Sequence, residues 1–148
     1  MKVSESTRSK RRKQTAEVFT PPELVNEILD KLDPSAWDPE KTFCDPAAGN
    51  GNFLVEVYRR KVETYHHDPL VALTTVYGVE LMEDNVAELR DRMLSLALEY
   101  GVSRDDAMRV LNKNIVCHDA LTYDFSFGED GKVSTSKERP FMFGGVRL

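Results

Sequence analysis

Cysteine is scarce in this sequence: Cys44 and Cys117 are the only two in 148 residues. Two thiols in a chain of this length exclude a small disulfide-stapled fold and suit a reducing, cytoplasmic setting. Long apolar runs are missing as well. No stretch approaches the ~18 residues that a membrane helix needs. The basic N-terminal stretch has no apolar segment behind it, so it does not read as a secretory signal. No internal repeat is visible, which sets aside solenoids and propellers.

What is present describes one water-facing globular unit. A hydrophobic content of 41% over 148 residues supplies one compact core and not two, and 30% charged residues suit a soluble surface. The net charge of −5 hides an asymmetry. Residues 1–13, MKVSESTRSKRRK, carry six Lys/Arg and one Glu, a balance of +5, which leaves −10 for residues 14–148. Only Val3 in that tail is core-forming, so residues 1–13 are expected to be a mobile basic tail. It reads either as a solubilising arm or as an arm for nucleic acid, because clustered Lys/Arg neutralise phosphates and release counterions. The acidic remainder argues against a broad DNA-binding face within it.

Strands and helices alternate along residues 14–148. In EVFTPPELVNEILDKL, Thr20 and Glu23 have capping-box spacing and Pro21 fits a first helical turn. Leu24, Val25, Ile28, Leu29 and Leu32 then mark one helical face. TFCD reads as a short buried strand. A helix follows from Asn52, with Leu54, Val57, Tyr58, Val62 and Tyr65 on one side. TTVYGVEL is a second strand ending at Glu80. A long helix is expected from about Asp84 to Tyr100, with Val86, Leu89, Met93 and Ala97 inward and Gly101 as its stop. Leu94 and Leu98 extend that stripe or serve as partner contacts. Ser103 to Leu111 reads as a short capped helix. NIVCHDAL is a third strand ending near Asp119, and RPFMFGG a short candidate fourth. This alternation predicts an α/β fold with a parallel sheet, whose ligands bind at the carboxyl ends of the strands.

Those strand ends carry Asp45, Glu80 and Asp119. After Asp45 comes the loop DPAAGNGNF, in which Gly49 and Gly51 permit positive φ and close backbone approach. A glycine-rich turn alone is weak evidence. The Asp in front of it is more informative, since a carboxylate there repels a pyrophosphate and pairs with an ammonium group. Glu80 can accept the two hydroxyls of a ribose, and Asp119 can accept from the exocyclic amine of adenine. Amino acid, ribose and adenine together describe S-adenosyl-L-methionine.

DPAAGNGNFL resembles motif I of the DNA adenine-N6 methyltransferases, particularly the modification subunits of type I and type IIG restriction systems. EVFTPPELV resembles the Phe-Thr-Pro motif that precedes motif I in that family and closes over the methionine end of the cofactor. YGVELMEDNV resembles motif II and NIVCHDAL motif III. The four motifs run in family order over Glu17 to Leu121. The resemblance implies a Rossmann-like class I methyltransferase fold with strands ordered 3-2-1 and strand four beside strand one, here in truncated form, and DNA as substrate. It implies cofactor contacts at Thr20, Asp45, Ala47, Gly49, Gly51, Glu80, Leu81, Asp119 and Ala120. Phe53 and Leu54 are expected to pack the helix onto the sheet, and Phe19 to do either. Cys44 and Cys117 then lie on strands separated by a third, so no disulfide is expected between them.

One family element is missing from the sequence. The catalytic motif is Asn/Asp-Pro-Pro-Tyr/Phe, whose oxygens accept from the target N6 amine and whose aromatic ring stacks on the flipped base. Neither Asn-Pro-Pro nor Asp-Pro-Pro occurs here, and no catalytic residue is assigned. The expectation is the cofactor-binding part of a bacterial or phage DNA-modification methyltransferase, as a fragment or one half of a split enzyme, with a second methyltransferase subunit or another copy of the chain as partner. The alternative is a non-catalytic module that binds S-adenosyl-L-methionine or docks on a methyltransferase. His66, His67 and Asp68 do not face one another in a way that holds a metal, and no metal site is assigned. Buried packing is expected of Cys117, a rim position of His118, and core or loop packing of Trp37 and the aromatics of Tyr123 to Phe127.

Overall fold

A computed structural model describes residues 19–128 and the backbone of Phe141–Met142. Residues 1–18, 129–140 and 143–148 lie outside the described residues, and with them the expected basic tail of residues 1–13. The elements run α1 (Pro22–Asp30), β1 (Phe43–Asp45), α2 (Asn52–Arg59), α3 (Pro69–Thr74), β2 (Val76–Glu80), α4 (Glu83–Glu99), α5 (Arg104–Asn114), β3 (Ile115–Cys117) and β4 (Phe141–Met142). A 3-10 turn (Pro34–Trp37) lies between α1 and β1, and a π turn (Arg60–Thr64) extends α2.

The described strands form one parallel sheet ordered β3-β2-β1-β4. Phe43 aligns with Val76 and Asp45 with Gly78, while Gly78 aligns with Ile115 and Glu80 with Cys117. On the far side Phe43 aligns with Phe141 and Cys44 with Met142, so β4 covers the β1 edge. The 3-2-1 order expected from the sequence is therefore present, with Phe141–Met142 as the fourth strand.

Strand alternation divides the sheet into two faces. Phe43, Val76 and Ile115 join the main core with Leu54, Val57 and Tyr58 of α2 and Leu89 and Met93 of α4. Gly78 is needed on this face, because a Cβ there would stand 2.7 Å from Leu54 Cδ1. Cys44 and Val79 point the other way, into a smaller cluster with Phe127 against which Tyr77, Val116, Ala120, Tyr123 and Phe125 pack. Trp37 is buried, with its ring centroid 5.1 Å from Phe43 and 5.0 Å from Tyr65. Packing is thus the role of these aromatics, as expected.

Several local expectations are corrected. Thr20 does not cap α1: the N-cap is Pro21 in extended conformation, with no side-chain cap. Pro21 and Pro22 have no N–H, so the first turn holds fewer orphan donors for a hydroxyl to satisfy. Leu24 is 43% exposed, and Val25 and Leu29 carry the buried face of α1. After α2 the π turn changes the helical phase. Lys61 is fully buried, Val62 half-buried and Tyr65 exposed. Helix α3, capped by Asp68 through the amides of Leu70 and Val71, was not anticipated. Strand β3 stops at Cys117, two residues before Asp119, and Cys117 is exposed rather than packed. Its place at the end of the edge strand accounts for that exposure.

Candidate functional site

The site begins with the last residue of β1. Asp45 sits on the helix-facing side of the sheet and is 4% exposed. Its Oδ1 accepts the amide of Ala47 at 3.0 Å, which starts the turn out of the strand. Burial pushes the Asp45 carboxyl up to about 6, against the Ala47 hydrogen bond that lowers it and with the neighbouring Glu80 raising it further.

Glu80 ends the neighbouring strand, on the same face, and is 9% exposed. It binds the glycine loop directly: Oε1 accepts the amide of Gly49 at 3.0 Å. Its other oxygen accepts the Met82 amide and Asn85 Nδ2, each at 3.0 Å. A carboxylate offers about four acceptor positions, so three protein donors leave one for a hydroxyl. A second hydroxyl would have to take the place of one of those donors.

Left-handed backbone shapes the loop between them. Gly49 has φ +56 and Gly51 φ +99. A Cβ on Gly51 would lie 2.3 Å from Leu89 Cδ1, and one on Gly49 would lie 3.3 Å from the Phe19 ring. The loop is therefore pressed between α4 and Phe19. The segment before α1 is tied down beside it, because Asn52 Nδ2 donates to the Thr20 carbonyl at 2.7 Å.

Thr20, Asp45, Ala47, Gly49, Gly51 and Glu80 thus gather around one loop at the carboxyl ends of β1 and β2. Ala47 is exposed within it. Leu81 follows Glu80 and is 58% exposed. Asp119 and Ala120 lie one strand further out, linked to the cluster by the His118 amide donating to the Glu80 carbonyl at 3.0 Å. Asp119 is exposed, and its Oδ1 accepts the Leu121 amide at 2.9 Å. Ala120 is half-buried against the second-face cluster. His118 is exposed, its ring centroid 5.1 Å from that of Tyr123. Phe53 and Leu54 pack into the core as expected. Among the described residues no group of three or more acidic, His or Cys side chains is arranged to hold a metal.

Sequence reasoning missed the polar residues that hold this loop. Asn85 is buried and bonds Glu80. Arg92 donates to the Asn50 carbonyl at 2.9 Å and to Asn52 Oδ1 at 3.0 Å. One signal was available: Asn85 adjoins Val86 on the inward side of a helix, where an amide needs a partner.

A sequence model of the family described as N-6 DNA Methylase matches residues 5–94, the span that contains Asp45, the glycine loop and Glu80. No curated protein and no solved structure matches the chain. Among the described residues no helix is long and apolar enough to cross a membrane.

Proposed function

The chain belongs to the N-6 DNA methylase family, and we propose that residues 14–148 are the S-adenosyl-L-methionine-binding part of a DNA adenine-N6 methyltransferase. The proposal includes a Rossmann-like class I architecture, and a basic tail in residues 1–13. The observation that carries the reading is the hydrogen bond from the Gly49 amide to Glu80, beside the buried Asp45. It joins two acids and a glycine loop at the carboxyl ends of adjacent parallel strands, where such folds take their ligands.

The donor set fits the cofactor. Asp45 would pair with the ammonium of the amino-acid end, a cation in a place where burial disfavours an uncompensated carboxylate. Glu80 has one acceptor position open to a ribose hydroxyl. Gly49 and Gly51 keep side chains out of the approach, and Thr20 with Phe19 borders the methionine end. Leu81, Asp119 and Ala120 would flank the adenine, with Asp119 accepting from its amine. When bound, the cofactor supplies an electrophilic methyl group on sulfonium.

The sequence contains no Asn-Pro-Pro or Asp-Pro-Pro, so the acceptors for the target amine would come from another segment or subunit acting on DNA. A second reading is a non-catalytic module that binds S-adenosyl-L-methionine or docks on a methyltransferase. Calorimetric titration tests the shared claim: binding is expected, and Asp45→Ala and Glu80→Ala should each weaken it at least tenfold. Absence of heat at high micromolar ligand would overturn the site. A tritiated-methyl assay on adenine-containing DNA separates the readings. Incorporation by this chain alone excludes the module, whereas incorporation that needs a second subunit identifies a split enzyme.

A further inference from the structure

The glycine loop is held from behind by α4, and the hold reaches the Phe19–Thr20 segment through one side chain. Arg92 Nη1 donates to the Asn50 carbonyl at 2.9 Å and to Asn52 Oδ1 at 3.0 Å. Asn52 Nδ2 then donates to the Thr20 carbonyl at 2.7 Å. Only this amide orientation serves both neighbours, because a guanidinium cannot accept and a carbonyl cannot donate. Thr20 is thereby fastened to the first residue of α2, and the adjacent Phe19 ring lies over Gly49. None of the three bonds involves Asp45 or Glu80. The contacts run from α4, through the loop, to the segment before α1.

We propose that Arg92 and Asn52 are positioning residues, which hold Phe19–Thr20 against the glycine loop and so set the affinity for the amino-acid end of S-adenosyl-L-methionine. The inference rests on the cofactor reading above for its ligand, but not for its geometry. It distinguishes two parts of the ligand. Loosening this segment should cost contacts to the methionine end and leave the adenosine end untouched, since Glu80 keeps its own bonds to Met82 and Asn85.

The test uses Asn52→Leu, an uncharged replacement of similar size, and Arg92→Met. Each should weaken S-adenosyl-L-methionine binding about tenfold, roughly the worth of one lost hydrogen bond. Adenosine affinity should stay within about twofold. The two changes break one relay, so the double variant should lose no more than Arg92→Met alone. Equal losses for adenosine and S-adenosyl-L-methionine, or losses that multiply in the double variant, would overturn the inference. A ligand-free readout keeps it distinct from the cofactor reading: both variants should speed amide hydrogen exchange in residues 19–25. If wild type takes up no S-adenosyl-L-methionine, the cofactor reading and the affinity claim fail. If exchange in residues 19–25 is unchanged in Asn52→Leu, the relay itself is wrong.

Discussion

Replacing Asp45 by Asn should make the ligand-free chain more stable while removing its cofactor affinity. The carboxyl is nearly fully buried, and its folded-state value of about 6 compares with 3.8 for an ordinary Asp. A gap of about two units, at about 1.36 kcal/mol each, makes the buried charge cost roughly 3 kcal/mol at neutral pH. The sign follows from proton binding. Between pH 3.8 and about 6 the folded chain holds a proton that the unfolded chain has lost. Stability contributed by this group is therefore full below 3.8 and gone above about 6. Asparagine has no charge to bury and keeps an oxygen for the Ala47 amide. Its new N–H₂ needs a partner, which takes back about 1 kcal/mol if none is found.

The net expectation is a gain of about 1–3 kcal/mol above pH 7, seen as a rise in Tm of about 3–9 °C for a domain this size. Thermal unfolding of both proteins at pH 7.5 and at pH 4 measures it. Comparing the two proteins at each pH isolates the substitution at residue 45, and the difference should nearly vanish at pH 4. A variant that is less stable at pH 7.5, or whose advantage persists unchanged at pH 4, refutes the reasoning. The same variant should lose about a hundredfold in S-adenosyl-L-methionine affinity, since a charged hydrogen-bond partner of the ammonium is gone. Stability and binding moving in opposite directions is the signature of a group kept for a ligand.

Three further outcomes follow from the same geometry. Wild-type affinity for S-adenosyl-L-methionine should fall about tenfold per pH unit once Asp45 protonates below about 6, and Asp45→Asn should flatten that profile in titrations from pH 5 to 8. Gly51→Ala meets Leu89 at 2.3 Å with φ at +99, so denaturant unfolding should show a loss of about 2 kcal/mol or more. Burial holds Lys61 down at about 8 from 10.5, so the unfolded chain binds the extra proton between those values and wild-type stability should rise with pH across them. Lys61→Met should lack that rise, and equal pH slopes in the two proteins would exclude a lowered Lys61 pKa.

The parallel sheet was legible because its strands are short apolar runs ending in acids, separated by amphipathic helices. Asp45 and Glu80 stood out for the same reason: each is a charge directly after residues that must be buried. What stayed hidden depends on pairs far apart in sequence. Residues 52 and 92 are polar positions on two helices, and nothing local marks them as partners. Thr20 shows the opposite error, a local cap signal overridden because two prolines remove the donors and Asn52 engages its carbonyl.

Lys61 is the most instructive miss. Leu54, Val57 and Tyr58 already point residue 61 inward by helical spacing, yet a lysine at that place invites the reading that the stripe skips to Val62 and Tyr65. The structure keeps 61 inside and satisfies its ammonium with the Lys41 carbonyl at 2.7 Å, Thr75 Oγ1 at 2.8 Å and the Phe43 ring at 5.0 Å. The Phe43 amide in turn donates to the Thr75 carbonyl where β1 and β2 begin. Lys61 thus ties α2 to the amino-terminal ends of the two strands whose carboxyl ends carry Asp45 and Glu80. Helical spacing alone would have turned residue 61 inward, and the cost of burying a charge argued against that reading. Part of that cost is offset by acceptors 20 and 14 residues away, which no local pattern discloses.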